Sequence, residues 1–101
     1  MSEPLIDTIL ASLKAELPDL AGASLNAARH LLSAARKDLE HWSAQVATGH
    51  LSAEELEWLA RSRLDVLRME TLRETGLAHA RLDALRRRLV VHIVQALLPA
   101  A

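Results

Sequence analysis

The 101-residue sequence contains no cysteine, no phenylalanine and no tyrosine, and only three glycines and three prolines. Without cysteine there is no disulfide framework, no thiolate metal site and no cysteine nucleophile. With no Phe or Tyr for stacking, a net charge of −1, and Arg86, Arg87 and Arg88 pointing to separate sides of one helix, no nucleic-acid partner is expected. No apolar run approaches the roughly 20 residues that cross a bilayer. The opening Met1-Ser2-Glu3-Pro4 carries acid where a secretory signal carries Lys or Arg, which makes the cytoplasm the expected location.

What is present is helix chemistry. Leu (21) and Ala (18) dominate, while Val, Ile and Thr together supply 12 residues. The expectation is a single all-α domain over residues 1–101. A chain this short buries a limited core and often adds area by oligomerising.

The few breakers divide the chain. Ser2 can cap a first helix whose apolar residues Leu5, Ile6, Ile9, Leu10, Leu13 and Leu17 form one stripe, and Pro18 ends it. Asp19 or Ser24 can cap the next helix, roughly 20–48. Its seam of Leu25, Ala28, Leu32, Ala35, Leu39, Trp42 and Val46 alternates steps of three and four, as in a coiled coil, and Leu31 widens the face. Thr48-Gly49 suits a left-handed C-terminal cap. Ser52 and Glu55 then form a capping box, and Leu51 with Leu56 a hydrophobic staple. A connection this short predicts an antiparallel hairpin.

From 53 to 98 the only breaker is Gly76, which by itself costs a helix about 1 kcal/mol relative to Ala. One long helix of about 69 Å is therefore expected. Its distal half would overhang, leaving Leu77, Arg81, Leu82, Leu85, Leu89, Ile93 and Leu97 to be covered by a second chain. The fold class read this way is an antiparallel helical bundle of three helices with a long C-terminal helix, completed by dimerisation. A break at Gly76 would give four helices and a self-contained bundle instead.

Residues 1–60 carry about −5 and residues 61–101 about +4, so the two halves can attract each other in cis or across a dimer. Glu57–Arg61 and Asp83–Arg87 lie at i,i+4, and Asp65–Arg68 and Glu70–Arg73 at i,i+3. Arg63, Glu70, Glu74, Arg81 and Arg88 fall in or beside the apolar stripe of the last helix. That implies snorkelling stems or ion pairs between helices, with Glu74 facing Arg81 across a dimer if two long helices cross near Leu77. Arg86-Arg87-Arg88 precedes Leu89–Leu98, a ten-residue segment with eight apolar positions that is expected in an oligomer core. A partner groove or a peripheral membrane contact ranks behind that.

Five histidines invite a metal, and Asp38 with His41, and Glu70 with Glu74, share helical faces. The Glu-x-x-His units of di-iron bundles and His-Glu-x-x-His are missing, so no metal or other cofactor is expected. There is no Gly-rich phosphate loop and no Gly-x-Ser-x-Gly elbow. Leu82-Asp83-Ala84-Leu85-Arg86 is similar to the opening of the helical chorismate mutases, where it begins a long first helix and arginines bind a dicarboxylate; here 15 residues follow it. The hairpin over 25–75 looks somewhat like small helical co-chaperones of type III secretion, and like secreted hairpins named for a Trp-x-Gly turn, although Trp42 lacks the following x-Gly. No family is assigned on these likenesses. The functional expectation is a non-enzymatic, homodimeric adaptor or chaperone-like protein that also accepts a protein partner. Its rivals are a small enzyme gripping an anionic substrate with arginines between subunits, and a membrane-surface binder acting through residues 89–98.

Overall fold

The computed structural model describes residues 2–98, with side chains from residue 4 onward. It consists of α1 (Ser2–Glu16), α2 (Gly22–Ala34), α3 (Arg36–Ala47), α4 (Ala53–Val66), α5 (Arg68–Thr75) and α6 (His79–Leu97), with no strand among the described residues. The Ser2 cap proposed from sequence lies outside the described side chains. No side chain caps α2, which starts at Gly22 rather than from Asp19 or Ser24.

Six helices reduce to four rods. At Ala35 the Leu31 carbonyl still accepts from the Ala35 N–H at 3.1 Å, and the Ala35 carbonyl accepts from Leu39 at 2.9 Å, so α2 and α3 share one bent ladder. Leu67 joins α4 to α5 in the same way, bonded to Arg63 and Thr71. There the hydroxyl of Thr71 also donates to the Leu67 carbonyl at 3.0 Å, a back-bond that bends helices.

The boundary between the second and third rods forms as its sequence dictates. The His50 N–H reaches the Gln45 carbonyl at 2.8 Å and the Gly49 N–H reaches Val46 at 3.1 Å, closing α3 in a Schellman motif. Ser52 and Glu55 complete a reciprocal capping box at the start of α4.

The long helix expected over 53–98 does not form. Gly76 adopts φ +66°, a left-handed conformation that ends α5, and extended Ala78 launches α6. A 69 Å rod could not fit a molecule whose longest dimension is 38 Å. Folding back buries Leu77, Leu82, Leu85, Leu89, Ile93 and Leu97 against the chain's own helices. Each such side chain contributes about 1.5–3 kcal/mol, against about 1 kcal/mol for each backbone bond given up at the turn. Burial wins by a wide margin. A wheel drawn on one continuous helix cannot reveal this, because the competing gain comes from helices distant in sequence.

Adjacent rods run antiparallel. His30 meets Thr71 while Asp38 meets Arg63; Arg68 meets Asp83 while Asp65 meets Arg86; Ser12 meets His92 while Glu16 meets Arg88. In each pair, advance along one helix is retreat along the other. The core between them holds Ile6, Ile9 and Leu13 of α1, Leu31, Leu32 and Leu39 of the second rod, Leu56 and Leu64 of α4, and Leu82, Leu89 and Ile93 of α6. Of the seven seam positions, Ala28, Leu32, Ala35, Leu39 and Trp42 are buried, and Leu25 and Val46 pack half-buried at the ends. That seam faces several neighbours: α2 touches α1, α5 and α6, and α3 touches α1 and α6. It is shared among helices rather than matched to a single coiled-coil partner.

Candidate interaction surface

The residues expected to meet a second chain are placed elsewhere by the tertiary structure. Leu82, Leu89 and Ile93 are wholly buried, Leu77, Leu85 and Leu97 nearly so, and Arg81 alone of that set is exposed. Their need for an external cover disappears once α6 folds onto α1 and α4. The proposed Glu74–Arg81 contact across crossing long helices falls with it, since the Gly76 turn puts the two residues on successive helices. Of residues 89–98, read from sequence as an alternative membrane-surface segment, Leu89, Val90, Ile93 and Leu97 are buried while Val91 is exposed, and no described helix is long and apolar enough to cross a membrane.

Charged clusters tie the rods together. Between α1 and α6, Arg88 grips the Glu16 carboxylate with two donors, Nε at 2.6 Å and Nη2 on the other oxygen. Buried His92 is hydrogen-bonded through Nδ1 to Ser12 Oγ at 2.8 Å, while its Nε2 lies 3.3 Å from Glu16 without aligning on it. Between the third rod and α6, Asp83 accepts from Arg68 at 2.8 Å and Arg86 at 3.0 Å, and Arg86 also reaches Asp65 at 3.2 Å. Asp38 pairs with Arg63 at 2.9 Å. Glu16–Arg88 and Asp38–Arg63 join the acidic first half to the basic second half within one chain, whereas the Arg68–Asp83–Arg86–Asp65 cluster lies wholly in the second half.

Local pairing follows the sequence only in part. Glu57–Arg61 forms at 2.6 Å, but Asp83 takes Arg86 and Arg68 in place of Arg87, and Asp65 takes Arg86 in place of Arg68. Glu70 lies 3.7 Å from His30 rather than against Arg73. Arg68 on Asp83, Arg86 on Asp65 and His30 beside Glu70 come from a neighbouring rod that intrahelical spacing cannot anticipate, while Asp83–Arg86 is an i,i+3 pair within α6.

These contacts set the acidities. Hydrogen bonds from Arg68 and then Arg86 hold Asp83 at about 2, against an ordinary 3.8. Arg88 lowers Glu16, and the Ser52 backbone N–H lowers Glu55. All three carboxylates are displaced toward the ionised form, Asp83 and Glu16 by arginine partners and Glu55 by its capping hydrogen bonds. An open groove of about 600 Å³ between α4 and α6 is lined by Arg61, Arg86 and Arg87, but also by Glu57 and Asp65, with Leu64, Val90 and Val91 beneath. Its first two arginines are already engaged by carboxylates. Among the described residues no group of three or more His, Asp or Glu could hold a metal ion.

One surface has no intrachain explanation. Trp58 is 64% exposed, Val66 69% and Met69 57%. With half-buried Ser62 and exposed Arg73 they follow one another at steps of four, four, three and four along the third rod, so they share one helical face. The buried stripe of the same rod, Leu56, Ala60, Leu64, Leu67 and Thr71, repeats those steps two residues earlier, about 200° round the helix.

No protein-family model, curated protein or solved structure matches the chain.

The surface itself therefore carries the functional reading. Isolated exposed apolar side chains are ordinary; a Trp, a Val and a Met aligned over about 16 Å of one helix face are a candidate contact. Beside Trp58 lies a shallow cleft of about 350 Å³ lined by Leu51, Glu54, Glu55, Trp58 and Leu59. Sequence reasoning missed this face because the stronger stripe of Leu56 to Leu67 fixes the helix orientation and draws attention inward. The available signal was a second apolar series offset by two residues from the first.

Proposed function

We propose that this chain is a non-enzymatic helical interaction module: an antiparallel four-helix bundle that acts in the cytoplasm as an assembly or adaptor protein. It docks through the outer face of the third rod. The observation that supports this is the exposed Trp58–Val66–Met69 stripe on a helix whose opposite face already fills the core. Aromatic and Met side chains are the residues most enriched where proteins meet. An arginine-bound anionic substrate is less well supported, because the groove arginines Arg61 and Arg86 are engaged by Glu57, Asp65 and Asp83.

The test is a photoreactive residue placed at Val66, with a control at exposed Lys37 on α3, in the intact chain inside the producing cell. Protein adducts are expected at Val66, diminished by Trp58→Ala, and absent at Lys37. Equal labelling at both positions, or none at Val66, contradicts the reading.

A further inference from the structure

Resting on that reading, we infer that the occupant of the outer face is a second copy of the same chain, docked antiparallel about a two-fold axis. The face is complementary to itself. Its N-terminal end carries Glu54 and Glu55 and its C-terminal end carries Arg73, all exposed. Glu54 and Arg73 make no ion pair among the described residues.

With the axis passing between residues 63 and 64, Glu54 and Glu55 of one copy lie level with Arg73 of the other. Trp58 lies level with Met69, and Ser62 with Asp65 and Val66. A parallel arrangement would instead set acid beside acid and Arg73 beside Arg73. The antiparallel register joins opposite charges at both ends at once, because the two-fold repeats every contact.

Shape follows the same symmetry. Trp58 stands at the edge of the cleft formed with Leu51 and Leu59. An exposed Met at the matching level supplies a flexible apolar side chain that can fill such a cleft and place its sulfur against the indole. Small Ser62 near the axis lets the two helices approach closely.

The experiment is sedimentation equilibrium of the full chain over about 1 µM to 1 mM, a range that spans weak to moderate self-association. A reversible monomer–dimer equilibrium is expected. Trp58→Ala should weaken it by about 30-fold or more, the behaviour of an aromatic anchor, here repeated on both sides of the axis. Glu54→Arg and Arg73→Glu should each weaken it, and the double variant should regain most of the loss. All three positions are exposed, so unchanged helicity and unchanged Trp42 emission verify the fold.

A chain that stays monomeric throughout overturns the inference, as does a dimer indifferent to Trp58→Ala or a double charge reversal that restores nothing. The Val66 adducts separate this failure from that of the docking reading. A product of twice the chain mass supports self-docking. A product containing a different polypeptide, with none of doubled mass, leaves the docking face standing and removes the second copy.

Discussion

A single buried histidine illustrates how much one hydrogen bond can decide. His92 is enclosed in the core, and Ser12 Oγ is its aligned partner. Ser12→Ala is expected to destabilise the protein by about 1–3 kcal/mol in urea titration, since both ring nitrogens are then left without an aligned partner. In a His92→Leu background the same Ser12→Ala change should cost nearly nothing, because the group that needed satisfying is gone. Leu89→Ala, at a fully buried site between helices, should cost about 2–5 kcal/mol by the same measurement. The two tryptophans divide along the same line: Trp42 is buried and Trp58 is exposed. Trp58→Phe should leave a blue-shifted emission insensitive to soluble quenchers.

Among the helices, the decisive positions are at the ends. Gly76 sits at φ +66° with open space where a Cβ would go, so Gly76→Ala meets a purely conformational penalty of about 1–2 kcal/mol. Thermal melting should show that loss, and Gly76→Asn should show less of it, since Asn tolerates the left-handed region. Ser52→Ala removes the reciprocal cap of α4 and should cost about 1 kcal/mol. The third rod gains from both neighbours of its bend. Thr71 is wholly buried, yet its hydroxyl is satisfied by the Leu67 carbonyl and by His30 Nδ1 at 3.0 Å.

For the molecule as a whole, acid stability follows from the lowered carboxylates. Asp83, Glu16 and Glu55 hold their protons less tightly when folded than when unfolded. The unfolded chain therefore binds more protons in the acid range, and stability rises with pH there. For Asp83 the contribution is fully present above its ordinary 3.8 and is lost as pH falls through about 2. Melts recorded between about pH 5 and pH 2 should show a falling transition temperature, with a shallower fall in Asp83→Asn. An unchanged slope in that variant would show that the Arg68–Asp83–Arg86 cluster contributes nothing to acid stability.

Much of this architecture is written locally. Leu- and Ala-rich composition specifies helix, Pro18 and Gly49 end the first two rods, and Ser52 with Glu55 starts the third, because each of these effects acts within four or five residues. Burial of Ala28, Leu32, Ala35, Leu39 and Trp42 on one face is equally a matter of periodicity. Gly76 is different: alone in an apolar-periodic stretch it is compatible with a helix or a turn, and the choice belongs to helices α1 and α4, whose apolar faces receive α6 when the chain reverses. That reversal turned Leu82, Leu89 and Ile93 from an imagined interface into core, chose the ion-pair partners of Asp83 and Asp65, and left Trp58, Val66 and Met69 outside. Local chemistry sets which side of each helix is greasy; only packing in three dimensions determines which greasy side is covered.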